Sequence, residues 1–319
     1  MDFELNDVQS DLTDSLRTLL SRYAGPARAR EVLGANDCDR ALLATLEAAG
    51  FLDLAIADGA GYLEAAIVVE EVSKHAGMVP IGVRALVAPL LLGTSVPAVV
   101  AICEAGVDGP VRYAAAADAI FVIDGDAVGV MKPVPGAVKV AHSGYGHAMG
   151  YVPPGQVEPL GSASGSAARQ WWRVAIASET AGRLRAALDL TVAYAKSREQ
   201  FGQPIGSFQA IQHRLAQLHL AVESVTWLSR YAAWSQDDEA AAAAATLACD
   251  TARWASVELH QLTGAIGFTE EYDLHLWTMP LQALRVELGG IGSHSRSLAA
   301  TRWPVRSPTL EADASVALG

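Results

Sequence analysis

Leu12, Leu16, Leu19 and Leu20 fall three and four residues apart, the spacing that lines one face of an α-helix. The same period returns at Leu42, Leu43 and Leu46 before Gly50 stops it, and a third stripe of Leu63, Ile67, Val68 and Val72 predicts a helix from Tyr62 to His75. Ala85 to Cys103 then carries no charged residue. Pro89, Gly93, Thr94, Ser95 and Pro97 interrupt it, so it reads as two short buried segments and not as a membrane span. Residues 1–103 are expected to form an all-helical unit.

From about residue 104 the period shortens. Ala119–Ile123 and Ala127–Met131 flank Asp124-Gly125-Asp126, the pattern of a hairpin, and Val138, Val140 and Tyr151 predict further short strands among Gly and Pro. Gly161–Ser166 reads as a polar linker, which makes 104–167 a small β unit. Helical spacing resumes with Leu184, Leu188, Val192 and Ala195, then with Phe208, Ile211, Leu215, Leu218, Val222 and Val225. Ala240 to Ala245 is expected to start a third long helix, since Ala has the best helix propensity and small faces pack closely; Gly264 and Gly267 end it. Residues 168–308 are thus expected as a helical bundle and 309–319 as a mobile tail. The fold class is mainly α with a small β insert.

Two runs stand out chemically. In Arg198-Glu-Gln-Phe-Gly-Gln-Pro-Ile-Gly-Ser-Phe-Gln-Ala-Ile-Gln-His213 a helix expected to end near Phe201 is broken by Gly202, Pro204 sets a turn, and Ser207 is placed to cap the next helix. Arg198 then sits in a last helical turn, where a cation is favoured, and an anion-binding corner results. The second run is Gln261-Leu-Thr-Gly-Ala-Ile-Gly-Phe268.

Composition narrows the function classes. The chain has 319 residues, 51% of them hydrophobic and 18% charged, enough for a substantial folded core. A net charge of -12 argues against nucleic acid and against an anionic membrane, both of which need clustered Lys and Arg. Cys38, Cys103 and Cys249 form no C-x-x-C pair and fit reduced thiols; the acidic N-terminus lacks the features of a signal peptide, so a cytoplasmic location is expected. His213 and His219 lie six apart, too far for a shared metal, and no G-x-S-x-G elbow is present. Asp124-Gly125-Asp126 is too short for a calcium loop, and Trp171-Trp172 reads as core or interface.

The two runs, with their order and spacing, resemble the acyl-CoA dehydrogenase family and its R-x-x-F-G-x-P-I-x-x-F-Q-x-x-Q and Q-x-x-G-G-x-G-F signatures. The resemblance implies an N-terminal helical domain, a middle β domain, here reduced, and a C-terminal four-helix bundle. It also implies FAD as cofactor, an acyl-CoA substrate desaturated between its α and β carbons, and electron transfer flavoprotein as acceptor. Carried over residue by residue, Arg198 would touch the FAD pyrophosphate, Phe201 would pack on the cofactor, and Gln209, Gln261 and Gly264 would line its ADP portion, reaching across to a neighbouring subunit's flavin. Ala265 stands where the family has the second glycine, which puts Gly264 in doubt.

The family's catalytic glutamate has two homes. Counting places Leu288 at one and Trp172 at the other, and neither can take a proton. Glu287 is adjacent to the first, but one residue is ~100° of helix rotation. The T-E-x-x-x-G-S-D and G-x-K-x-W-I-T segments that help hold the flavin ring in relatives are missing. A chain with the reaching half but without base or ring cradle resembles the smaller subunit of the heterotetrameric steroid side-chain acyl-CoA dehydrogenases of actinobacteria, in which two related chains complement each other. The alternatives are a self-sufficient homo-oligomer using Glu287 and a flavin-free helical interaction protein.

Overall fold

The computed structural model describes residues 4–304 apart from positions 36, 143 and 162, and the tail expected over 309–319 lies outside the described residues. Helix α1 (Asp7–Tyr23) starts on a capping box: Asn6 Oδ1 accepts from the Gln9 backbone at 2.9 Å while the Gln9 side chain accepts from the Asn6 N–H. It turns Leu16 and Leu20 inward. After α2 (Pro26–Ala35) and α3 (Arg40–Ala48), α4 (Tyr62–Lys74) is buried continuously from Ala65 to Ser73, more than a one-faced helix allows. Two consecutive glutamates in that stretch have matched cations: Glu70 takes Arg230 at 3.0 Å and Glu71 takes Arg17 at 2.7 Å. The long helix against it comes backbone to backbone, since a Cβ on Gly182 would meet the Glu70 carbonyl at 2.0 Å.

The uncharged Ala85–Cys103 stretch is broken as its prolines and glycine require. A π-helical turn (Val83–Val87) runs into the short α5 (Ala88–Leu92), and strand β1 (Val100–Glu104) follows. No helix among the described residues is long and apolar enough to cross a membrane. Strands β2 (Ala119–Asp124) and β3 (Ala127–Met131) form the expected hairpin, with Asp124 opposite Ala127 and Gly125 at φ 56° in the two-residue turn. β1 joins β2 in parallel, and β4 (Lys139–Val140) pairs with β5 (Gly150–Tyr151) in a separate ladder. With β6 (Glu158–Pro159) on β3, the main sheet has the order β1-β2-β3-β6.

Helix α6 (Gly165–Ser197) begins inside the polar Gly161–Ser166 segment, capped by Ser164. It is 33 residues long and lies at the centre of the molecule between α4 and the helices that follow. Beyond it come the two-residue strands β7 (Glu199–Gln200) and β8 (Gln203–Pro204), then α7 (Gln209–Ser235) and α8 (Asp238–Thr263). The turn between α7 and α8 uses Gln236 at φ 55° and Asp237 as N-cap. The alanine run opens α8 as expected, with Ala240, Ala241, Ala242, Ala244 and Ala245 buried. Helices α9 (His275–Leu284) and α10 (Gly290–Arg302) are the last elements among the described residues, and one apolar cluster joins Leu16, Val72, Phe121, Trp172, Leu218 and Leu284.

Candidate functional site

The Arg198–His213 run departs from its expected local structure in two respects. Helix α6 stops at Ser197, four residues short of Phe201, and Arg198 is its extended C-cap (φ -77°, ψ 116°). β7 and β8 then form a miniature hairpin in which Glu199 faces Pro204 and Gln200 faces Gln203. Phe201 (φ 56°) and Gly202 (φ 79°) are both left-handed, as a type I′ turn demands, and the Ile205 N–H donates to the Arg198 carbonyl at 2.8 Å. Nor is Ser207 a helix cap. Its hydroxyl donates to the Pro204 carbonyl at 2.6 Å within a 3-10 turn, and α7 starts two residues later behind Phe208. In both places a turn bond outcompetes the helix that spacing alone suggested.

What this hairpin displays is unusual. The Arg198 guanidinium is exposed and has no ion pair or hydrogen bond among the described residues. Phe201 is 93% exposed, its ring 6.1 Å from that of Phe208, although an aromatic residue in the left-handed region costs about 1–2 kcal/mol. Gln209, at the first position of α7, is exposed as well. On the second run Gln261 is exposed near the end of α8, and Gly264 (φ 65°) is its C-cap with open space where a side chain would project. Ala265 has no positive φ, so its methyl is accommodated without strain. Phe268 is 76% exposed against the ring of His260.

Topology brings these five positions to one end of the bundle. α6, α7 and α8 succeed one another through tight reversals, so the ends of α6 and α8 and the start of α7 coincide. Tyr194 in the last turns of α6 meets Tyr272 beyond Gly264, with ring centroids 5.7 Å apart, and the Tyr272 hydroxyl donates to the Leu190 carbonyl at 3.0 Å.

The opposite region of the molecule holds a cavity of about 460 Å³. It lies between the segment that leaves β1, Trp172 near the start of α6, and the turn Val286–Gly289 between α9 and α10. Arg112 organises its floor. That guanidinium forks onto Glu179, with Nη1 to Oε2 at 2.6 Å and Nη2 to Oε1 at 3.0 Å, and its Nε donates to Glu287 Oε1 at 2.6 Å. The Trp172 indole N–H donates to Glu287 Oε2 at 2.7 Å. The two places counted for a base therefore meet across the cavity, one as a hydrogen-bond donor to the carboxylate beside the other. Leu288 (φ 51°) is packed against the core.

Behind this floor is a buried polar layer that local pattern did not single out. Tyr113, left-handed at φ 62°, shares a hydrogen bond of 3.0 Å with His147 Nδ1. Burial, and then the Arg112 and Arg183 charges, hold His147 well below the usual histidine range. Arg183 is fully buried, its pKa lowered by that burial, and its Nε, Nη1 and Nη2 have no partner among the described residues. Arg112 and Glu179 were missed in the sequence; the available signal was Glu179 itself, the one carboxylate in the run Trp171–Leu188, whose other charges are Arg173, Arg183 and Arg185. No group of three or more His, Cys, Asp or Glu able to hold a metal occurs among the described residues.

Comparison with known proteins converges on one family. The model of the acyl-CoA dehydrogenase C-terminal domain matches residues 166–301. The acyl-CoA dehydrogenase IpdE2 of Mycobacterium tuberculosis is 30% identical over 283 residues, covering 83% of this chain and 88% of that protein. Among solved structures, a chain of the ChsE4-ChsE5 complex from Mycobacterium tuberculosis aligns with a TM-score of 0.81 at 22% identity, covering 96% of this chain and 100% of that one. A chain of the Tcur3481-Tcur3483 steroid ACAD, in a variant form, aligns with a TM-score of 0.78 at 23% identity over 92% of this chain and 97% of that one. These two likenesses establish the fold.

Proposed function

Because the chain belongs to the acyl-CoA dehydrogenase family of FAD-dependent oxidoreductases, we propose that it is the flavin-completing subunit of a heteromeric member acting on a bulky, steroid-derived acyl-CoA. Its Arg198 end would grip an FAD seated mainly on a related partner chain, in a heterotetramer with two copies of each chain. The pairing and the substrate class are suggested by the ChsE4-ChsE5 complex and by the steroid enzyme named above. Electron transfer flavoprotein as acceptor and a cytoplasmic location belong to the same proposal. So does the division into 1–103, 104–167 and 168–308, with the last part as the reaching unit.

One observation carries the proposal. Trp172 and Arg198 stand 26 positions apart along α6, roughly 39 Å at helical rise, which is longer than an extended flavin dinucleotide. The cavity and the cationic end of one chain therefore serve different cofactor molecules or none. At the Arg198 end the donor set suits the dinucleotide: a guanidinium with no partner among the described residues for the pyrophosphate, the Gln209 and Gln261 amides, the Phe201 ring, and Gly264 without a side chain in the way. At the cavity the fit to a flavin ring fails, since the donors there, Arg112 and Trp172, are engaged by Glu179 and Glu287.

Bound FAD supplies the hydride acceptor of the family's reaction. The chain's own contribution is to neutralise phosphate charge with Arg198, to cover the dinucleotide with Phe201, and to orient its adenosine end through Gln209, Gln261 and Gly264. In this reading Glu287 is a fixed acceptor and not the base: Oε1 accepts from Arg112 Nε and Oε2 from the Trp172 indole, which together tie the carboxylate to the cavity floor. A self-sufficient enzyme has one observation in its favour, the 13% exposure of the Glu287 side chain at the cavity. The test is flavin content and turnover. Produced alone the chain should be colourless, and the complex formed with its partner should keep full turnover when Glu287→Gln is introduced. A yellow, active isolated chain that loses activity on Glu287→Gln would establish the self-sufficient enzyme instead.

A further inference from the structure

We infer that the cavity beside Glu287 is a binding site in its own right, for an uncharged, mainly hydrocarbon ligand that it holds without flavin and without turnover. This rests on the reading that the flavin touched by this chain sits on the partner. At about 460 Å³ the cavity falls within the range of small-molecule sites. Its walls are mainly apolar, with Ile102, Val107, Val111, Met149, Val286 and Leu288, beside the charged Glu104, Arg112 and Glu287.

The charge of the ligand follows from the charges already in the wall. Glu104 is held by Arg169 at 2.7 and 2.8 Å, and Arg112 is divided between Glu179 and Glu287. Among the described residues, every cation and carboxylate lining the cavity thus has its counterion. An anionic ligand would bring a charge beside Glu104 and Glu287 with no free cation to meet it, and a cationic one would have to displace Arg112 or Arg169. The Arg112–Glu179 part of this network is almost wholly buried, at 4% and 0% exposure, so disturbing it leaves a desolvated charge uncompensated at a cost that an apolar contact does not return; the Glu104–Arg169 pair, at 36% and 23%, keeps water and weighs less. A neutral hydrocarbon disturbs none of these pairs.

The rim supports the same conclusion. Val107 is 44% exposed and Val286 60% exposed, so two elements that line the cavity, the segment after β1 and the α9–α10 turn, each present apolar surface to water. Leu288 is held in the left-handed region between Glu287 and Gly289, strain of the kind that surrounding structure maintains at ligand sites.

The probes are phenylnaphthylamine, which is neutral, and anilinonaphthalenesulfonate, which adds a sulfonate to the same skeleton. Titrated into the full chain, the neutral probe should saturate and bind at least about tenfold more tightly than the anionic one. Val107→Trp and Val286→Trp, both at exposed positions where the fold tolerates them, should each weaken the neutral probe by about tenfold or more. Equal binding of the two probes, no saturable binding, or unchanged affinity in both variants overturns the inference. In the complex with the partner, Val107→Trp should leave flavin content unchanged, whereas Arg198→Ala should lower flavin content and leave probe binding intact. Flavin loss with Val107→Trp overturns the cavity assignment alone; retained flavin with Arg198→Ala overturns the subunit reading alone.

Discussion

Replacing Arg112 with Met removes the cation shared by one fully buried carboxylate, Glu179, and one partly buried carboxylate, Glu287. The Arg112 side chain is 4% exposed, Glu179 is 0% exposed and Glu287 is 13% exposed. Removing one partner of such a pair leaves an uncompensated charge, at about 3–5 kcal/mol. Most of that cost should come from Glu179, because Glu287 keeps the Trp172 indole and reaches water through the cavity, while Glu179 loses a two-bond fork and has no exposure. At roughly 2–4 °C per kcal/mol for a large domain, the melting temperature should fall by about 6–20 °C. The double variant Arg112→Met with Glu179→Gln removes the stranded charge while keeping the volume, and should recover at least half of the loss. Thermal melts of the full chain followed by circular dichroism measure both. A loss below about 1 kcal/mol in the single variant, or a double variant no more stable than the single, would refute the reasoning.

Two further outcomes follow from the buried layer. Arg183→Met replaces a guanidinium whose three nitrogens have no partner among the described residues, so the melting temperature should rise by a few degrees, for a gain of about 1–3 kcal/mol; a clear fall would show that the cation is satisfied after all. Burial, with Arg173 nearby, pushes His294 from 6.5 down to about 4, so between those pH values the unfolded chain binds a proton that the folded chain does not. Stability should therefore rise with pH across that window and be lost on acidification, by at most roughly 3 kcal/mol from this residue, with His147 acting in the same direction. Melts of wild type and His294→Gln between pH 7 and 4.5 should show a shallower slope in the variant, and identical slopes would contradict the assignment.

The long helices were legible because each buries a stripe that repeats over several turns, and the β2–β3 hairpin because its two-residue turn is bounded by two short apolar runs. Helix α2 was not: only Ala29 and Val32 in it join the core, too few to show a period. Nor were α9 and α10, one containing Pro280 and the other burying only Gly290 and His294. The β7–β8 hairpin was hidden because Phe201 is a poor candidate for the left-handed turn it occupies. At the candidate sites, Arg198, Phe201, Gln209, Gln261 and Gly264 could be named from local runs, and the antiparallel helices then bring them to one end. The Arg112–Glu179–Glu287–Trp172 cluster could not be assembled in the same way. Its members are 67, 115 and 175 residues apart in sequence, and side-chain pairing at that range leaves no periodic trace.

The most direct measurement is the ratio of FAD to protein in the complex of this chain with its partner, before and after Arg198→Ala in this chain alone. With the oligomer intact by light scattering, Arg198→Ala should weaken flavin retention by about tenfold or more, as loss of a charge-assisted phosphate contact demands, and Arg198→Lys should restore part of it. Undiminished flavin in an intact oligomer carrying Arg198→Ala would contradict the assignment of this chain as the flavin-completing subunit.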